Sequence, residues 1–335
     1  MLSDRIAGCF HAASGNSLAE SPLQQICFGQ WGREAAEDVV VCRIGPEVFE
    51  IHCHGGDAAV RRILADLVNF GCAIVDWRLQ LEAERGVWDR EYAEVLSRAT
   101  TLRAVGWIVA QAGRIERAIA ELNELVANGH REQAKARANE MLTWANFGRH
   151  LTRPWEVVLA GRPNVGKSSL INALVGFERS IVFDQPGTTR DVVTADTVLD
   201  GWAIRLSDTA GQRGSTDELE AAGIAKARDA FGNADARLLL IDISESPHDD
   251  DRRLLAEWPD ALIVAHKSDL QDAWGESLPT NAIRVSSLQR TGLKELSAEI
   301  VKRLVPALPP SETIIPLTQR HVLHLKQFCH GSNTD

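Results

Sequence analysis

Gly161-Arg-Pro-Asn-Val-Gly-Lys-Ser168 fits the pattern G-x-x-x-x-G-K-[ST]. It follows the apolar run Glu156–Ala160 and opens a helical segment, which is the context a phosphate-binding loop requires. Its glycines let backbone N–H groups turn inward, and the helix N-terminus adds a positive field. The spacing assigns Lys167 to the β- and γ-phosphates, where it serves both binding and catalysis. It assigns the Ser168 hydroxyl to Mg²⁺. Asn164, Val165, Gly166 and Ser169 complete the expected phosphate contacts.

Three later segments sharpen the chemistry. Asp208-Thr-Ala-Gly211 follows an apolar strand, so Asp208 can hold Mg²⁺ through a water and the Gly211 N–H can sense the γ-phosphate. Gly187-Thr-Thr-Arg-Asp191 lies between, and Thr189 is expected to complete the Mg²⁺ shell. Ala265-His-Lys-Ser-Asp269 ends a further strand. An aspartate there accepts two hydrogen bonds from the N–H edge of guanine. Adenine lacks that donor pair, and a carboxylate left unpaired is costly. The expected ligand is therefore GTP or GDP.

These residues need a scaffold. Residues 155–305 alternate short apolar runs with helical segments. The strand candidates are Glu156–Ala160, Val192–Leu199, Ala203–Leu206, Arg237–Ile243, Ala261–Ala265 and Ala282–Val285. Such alternation predicts an α/β P-loop domain with a mostly parallel sheet and ligand at the carboxyl ends of its strands. We place this domain at 154–306. A helical region, 81–153, precedes it, with stripes Tyr92, Val95, Leu96, Ala99, Leu102 and then Ile115, Ile119, Leu122, Val126. A further helix is predicted from Arg131 to Phe147. Residues 1–80 read as a small α+β domain: strands Asp38–Ile44 and Val48–His54, a helix from Asp57 to Phe70, and a short strand Cys72–Val75. Residues 307–335 read as a short linker, around Pro306-Ala-Leu-Pro-Pro310, and an amphipathic helical tail from Gln319 to Phe328.

The chain has 335 residues, 44% apolar and 24% charged, which excludes intrinsic disorder. No run approaches the roughly 18 apolar residues of a membrane span, and the N-terminus lacks a secretory pattern. A cytoplasmic protein without a membrane role is expected. Its net charge of −10 excludes bulk electrostatic attachment to nucleic acid. The six cysteines form no C-x-x-C pair and read as reduced thiols.

The order GRPNVGKSSLINAL, DQPGTTRD, DTAGQR, HKSD and Val285-Ser-Ser287 resembles the translation-factor-like GTPases. Within them the chain is most similar to the MnmE (TrmE) type of tRNA-modification GTPase. The GTPase segment follows a helical region, Phe49-Glu-Ile-His-Cys-His-Gly-Gly56 resembles the family's folate-binding domain, and Asp208 to Glu220 resembles its stretch up to the catalytic glutamate. The resemblance implies that Asn164 ligates K⁺ beside the phosphates and that the loop Asp184–Thr189 completes this site. It implies that Glu220 positions the attacking water, while Gln212 occupies the Ras-like slot without a catalytic role. His266, Lys267, Asp269, Ser286 and Ser287 match the guanine-binding segments. K⁺, Mg²⁺, a homodimer through GTPase domains, a formyl-tetrahydrofolate one-carbon donor and an FAD-containing MnmG-type partner that grips tRNA are further implications.

The departures point at particular residues. His266 stands where the family has asparagine, and its neutral imidazole is expected to donate to a guanine ring nitrogen. Glu50 matches the family's folate-contacting glutamate, but the expected basic partner falls near Val87, which cannot bind a carboxylate. The family's F-C-I-G-K motif has only the echo Phe328-Cys-His-Gly331, without lysine. Two readings stay open: a K⁺- and Mg²⁺-dependent GTPase supporting modification of the tRNA wobble uridine, or a GTP-dependent binding switch with no part in tRNA chemistry.

Overall fold

Alternating apolar residues build the first sheet. In the computed structural model, which describes residues 6, 8–15, 18, 21–32, 36–46, 48–177, 194–208 and 231–329, the chain divides into Met1–Glu84 and Arg85–Asp335. The first unit carries β1 (Phe10–Ala12), β2 (Ile26–Trp31), β3 (Glu37–Gly45) and β4 (Val48–Cys53) in one antiparallel sheet of that order. Phe10, Trp31, Val39 and Val41 point to one face, where Ile63 of helix α1 (Asp57–Asn69) joins their cluster. The Trp31 Nε1–H donates to Asp66 of that helix at 2.9 Å. The other face leaves Ile26 and Phe28 exposed.

The expected strand Cys72–Val75 does not form. Gly71 N donates to Val68 O and Cys72 N to Leu67 O, which caps α1, and Gly71 takes a φ of +87°. The following residues enter no ladder, and Ile74 and Val75 stay exposed. Helix α2 (Trp77–Arg85) follows.

In the second unit, six strands form one sheet: β5 (Trp155–Ala160), β6 (Thr194–Leu199), β7 (Trp202–Asp208), β8 (Ala236–Asp242), β9 (Leu262–His266) and β10 (Ile283–Val285). Their order is β10-β9-β8-β5-β7-β6, all parallel except the β6–β7 hairpin. The central strands are buried on both faces, as a sheet packed between helices requires. Helix α8 (Lys167–Val175) leaves the phosphate loop, and α9 (Asp249–Glu257) and α10 (Leu293–Leu304) cover the sheet further along.

The helical region contributes α3 (Val87–Ser97), α4 (Leu102–Ala110), α5 (Arg114–Ala127), α6 (Arg131–Leu142) and α7 (Ala145–Arg149). The stripe drawn through Tyr92 to Leu102 breaks. Thr101 caps α4 by accepting from Ala104 N at 3.1 Å, and Leu102, at the first helical position, is 90% exposed. The segment from Arg131 to Phe147 is likewise two helices. The segment read as a linker is packed: Ile315 is fully buried and its N–H donates to Gln111 Oε1, while Gln111 Nε2 donates to Thr313 O.

The tail helix α11 (Gln319–Cys329) lies against α6 and α5 through Leu325, which shares a cluster with Ile115, Leu122, Ala134 and Ala138. Glu91 of α3 is its polar anchor. It accepts two bonds from Arg320, at 2.6 and 2.7 Å, and one from His321 Nε2 at 3.1 Å. The Arg320 guanidinium also lies over the Trp88 ring, 3.9 Å from its centroid. Burial alone would raise the Glu91 carboxyl. The bonds from His321 and Arg320 outweigh it and hold the group at about 2. No helix among the described residues is long and apolar enough to cross a membrane. All six cysteines are free and partly buried.

Candidate nucleotide-binding site

The sheet order brings the carboxyl ends of β5, β7, β8 and β9 to one edge, each ending in a residue with a task. β5 runs into the loop Gly161–Ser168. Gly161 there has a φ of +148°, and a Cβ would sit 2.5 Å from Leu240 O of β8. Only glycine lets the loop leave the sheet so closely. Asn164 turns the tip of the loop in the left-handed region, with φ +63°. Its side chain is exposed and makes no hydrogen bond among the described residues.

Lys167 and Ser168 open α8. Lys167 is buried, and its ammonium donates to the carbonyls of Gly161 and Arg162 at 3.0 and 3.1 Å, folding back over the loop. Ser168 Oγ donates to Asp208 Oδ2 at 3.3 Å. The register sets this distance: Leu159 pairs with Asp208, so β7 delivers its carboxylate beside the loop. A hydroxyl and a carboxylate side by side are hard oxygen donors of the kind Mg²⁺ takes, directly or through water. Ser169 is exposed on the first turn of α8. Thr189, Gly211, Gln212, Glu220 and the loop Asp184–Thr189 lie outside the described residues.

The base-reading corner is built by β9 and β10. Val285 pairs with His266, so Ser286 and Ser287 emerge beside residues 267–269. Ser286 Oγ donates to Asp269 Oδ1 at 2.5 Å, and Gln289 N donates to Ser286 Oγ. Asp269 is half-buried and its second oxygen makes no hydrogen bond among the described residues. Lys267, with φ +60°, pairs with Asp242 at the end of β8. Burial opposes ionisation of Asp242, but bonds from Lys267 and Ser244 hold its carboxyl below the usual range.

His266 corrects the expectation that it donates to guanine. Its Nδ1 lies 2.8 Å from Val165 O and its Nε2 2.7 Å from Ser287 Oγ. A carbonyl only accepts, so the proton sits on Nδ1 and Nε2 accepts from the serine hydroxyl. Burial pushes the ring's pKa below its ordinary value, which favours this neutral form. The single N–H is spent on the phosphate loop, and none is left for the base. The ring fills the space beside Gly166, whose φ is +101° and whose Cβ would strike it.

A family model described as a 50S ribosome-binding GTPase matches residues 156–267. Over 371 aligned positions the chain is 32% identical to the tRNA modification GTPase MnmE of Synechococcus sp. (strain WH7803), covering 94% of this chain and 80% of that protein. The chain belongs to the MnmE GTPase family. Similarity to the MnmE of Synechococcus sp. (strain RCC307) reaches 48% over 149 residues, 44% of this chain and 32% of that one. Among solved structures, the G domain of the T. maritima FeoB iron transporter is 28% identical over 45% of this chain and 99% of its own, with a TM-score of 0.34. Membership makes this chain a GTP-hydrolysing enzyme that binds guanine nucleotides.

Sequence reasoning missed two residues that shape this MnmE-type site, Arg162 and Asp242, and named Val165 without the part its carbonyl plays. Arg162 ties the phosphate loop to α9, donating to Asp251 and Glu245 at 3.0 Å each. Asp242 takes Lys267. Val165 matters through its carbonyl, which no side-chain pattern reports. Glu50, the folate candidate, lies in the other unit on the open face of β4, half-exposed and 3.5 Å from His52.

Proposed function

We propose that this chain is a Mg²⁺-dependent, K⁺-stimulated GTPase that supports modification of the tRNA wobble uridine in the cytoplasm. In this reading two GTPase domains pair when GTP is bound. An FAD-containing MnmG-type protein brings the tRNA, which suits a chain with a net charge of −10. The observation that carries the reading is Asn164. Its side chain stands at the loop tip without a hydrogen bond among the described residues, so its carbonyl oxygen is available to a cation beside the phosphates.

When bound, Mg²⁺ and K⁺ supply charge that offsets the negative charge gathering on the phosphates. The protein's own part is orientation. Lys167 exchanges the carbonyls of Gly161 and Arg162 for phosphate oxygens. Ser168, hydrogen-bonded to Asp208, and Thr189 would hold Mg²⁺. Asp269 and the loop at Ser286–Ser287 select guanine. Gly211 senses the γ-phosphate, and Glu220 orients the attacking water. Formyl-tetrahydrofolate does not enter this reading. Glu50 sits on an open sheet face, with His52 at 3.5 Å and no other basic side chain bonded to it among the described residues.

Single-turnover hydrolysis in matched K⁺ and Na⁺ buffers tests the reading. Wild type is faster in K⁺, and Asn164→Ser loses the advantage. Glu220→Ala slows hydrolysis by about 10²–10⁴-fold with GTP affinity nearly unchanged. Gln212→Ala costs far less. A crippled Gln212→Ala with no effect of K⁺ would establish a Ras-like mechanism instead.

One observation favours the second reading, a GTP-dependent switch without tRNA chemistry. Cys329 donates to Asn139 of α6 at 3.1 Å, so the thiol nearest the family's C-terminal motif is engaged by the helical layer. Mass spectrometry of tRNA nucleosides after genetic complementation decides between them.

A further inference from the structure

A cavity of about 430 Å³ opens in the second unit, between α3, α7 and the start of α11. That volume is in the range of small-ligand sites. Val95, Leu317 and Val322 are among its apolar lining, and Arg98, Arg149 and Arg153 are its charged lining. No carboxylate lines it among the described residues. This is unexpected in a chain with ten more acidic than basic side chains, 46 against 36.

Two of the three arginines have a carboxylate within reach, but each of those carboxylates is shared with other groups. Arg98 pairs with Glu94, but Glu94 also serves Arg90. Arg149 bonds Asn146 and the His150 ring, and its nearest carboxylate, Asp235, is 3.8 Å away. Asp235 already accepts from Glu156 N and faces His150. Arg153 has no partner among the described residues. The first turn of α11, where Thr318 accepts from His321 N, adds the positive end of an 11-residue helix.

This is not the GTP site. Arg153 precedes β5 and the phosphate loop follows it. The strand's six residues therefore separate the two by about 20 Å. We propose that the cavity binds a phosphate-bearing nucleotide, free or as one unit of an RNA strand. The arginines take the phosphate, and the flat base lies on the Val95–Leu317–Val322 side. Guanidinium groups suit phosphate because they present paired donors in one plane. Only the RNA source leans on the tRNA reading above; a free nucleotide does not.

The test uses the full chain saturated with GDP and Mg²⁺, so that the phosphate loop is filled. Uridine 5′-monophosphate, uridine and single-stranded oligouridine are titrated by calorimetry. At least one phosphorylated probe binds, and uridine binds about ten-fold more weakly or worse. Arg153→Ala weakens the phosphorylated probe by a similar factor, Arg153→Lys recovers part of it, and GTP hydrolysis is unchanged in both. Monophosphate binding identifies a free nucleotide. Oligouridine binding without monophosphate binding identifies an RNA strand. The proposal is overturned if neither binds, if uridine binds equally well, or if Arg153→Ala leaves affinity intact. GTP hydrolysis, measured on the same preparations, reports failure of the GTPase reading separately.

Discussion

Val165 gives its carbonyl to His266, and that bond decides what the imidazole can do. The ring braces the phosphate loop against Ser287 and leaves the base unread on that side. Asparagine has two N–H donors, one for Val165 and one for the ring of guanine. His266→Asn should therefore tighten GTP binding by a few-fold to roughly ten-fold, the worth of one neutral hydrogen bond. A fluorescent-nucleotide titration that shows weaker binding would sink this account. The same ring makes stability depend on pH. Its folded pKa is depressed, so below about 6.5 the unfolded chain takes up the proton first and the native state loses ground. Stability is full above that value and falls as pH drops through it; His266→Asn should flatten the slope in urea midpoints measured from pH 7.5 to 5.5. Asp269 is the residue we assign to the choice of base. Asp269→Asn should let xanthine nucleotides compete with GTP, because the donor–acceptor pattern is exchanged. Equal competition by ATP against wild type would contradict its assignment.

At the scale of elements, the hold of α11 on α3 rests on one carboxylate. Glu91 has 9% of its side chain exposed and bonds both Arg320 and His321. Removing it strands the buried His321 and the part-buried Arg320, so Glu91→Ala should cost about 3 kcal/mol, the low end for breaking a buried pair. Chemical denaturation would measure it. Because the carboxyl is held at about 2, this stability is complete above its ordinary value near 4.5 and drains away as pH falls between the two. Such a lock is hard to read from sequence. Glu91 and Arg320 are 229 positions apart, and each alone reads as a solvated charge on a helix. The phosphate loop is the opposite case. All its working parts lie within eight residues whose spacing is the function, and the parallel strands announce themselves as uninterrupted apolar runs. β1 is too short for a pattern, and Gly29 interrupts β2. Cys72–Val75 looks like a strand because apolar content says nothing about whether an edge is there to receive it.

At the scale of the whole molecule, the division at Glu84 and Arg85 carries a prediction. The second unit contains every residue assigned to the nucleotide and its own core, from Trp155 and Leu159 to Ile300 and Ile315. Residues 85–335 expressed alone should fold cooperatively and bind GTP with the affinity of the full chain. Calorimetric unfolding and nucleotide titration check this, and a fragment without a cooperative transition would refute it. The second unit does not tolerate the matching cut at its other end. Removing residues beyond 318 uncovers Ala134 and Ala138 and takes from Glu91 its bonds to Arg320 and His321.

The Glu91–Arg320 contact also sets a clock on synthesis. Translation proceeds at roughly 5–20 residues per second, so the 229 positions between them take on the order of ten to forty-five seconds to add. Throughout that interval the Glu91 carboxylate, destined for burial, has its neighbour Arg90 beside it but neither Arg320 nor His321, and the groove for α11 lacks its helix. The nascent helical layer thus stays without its polar anchor until Arg320 and His321 have emerged from the ribosome.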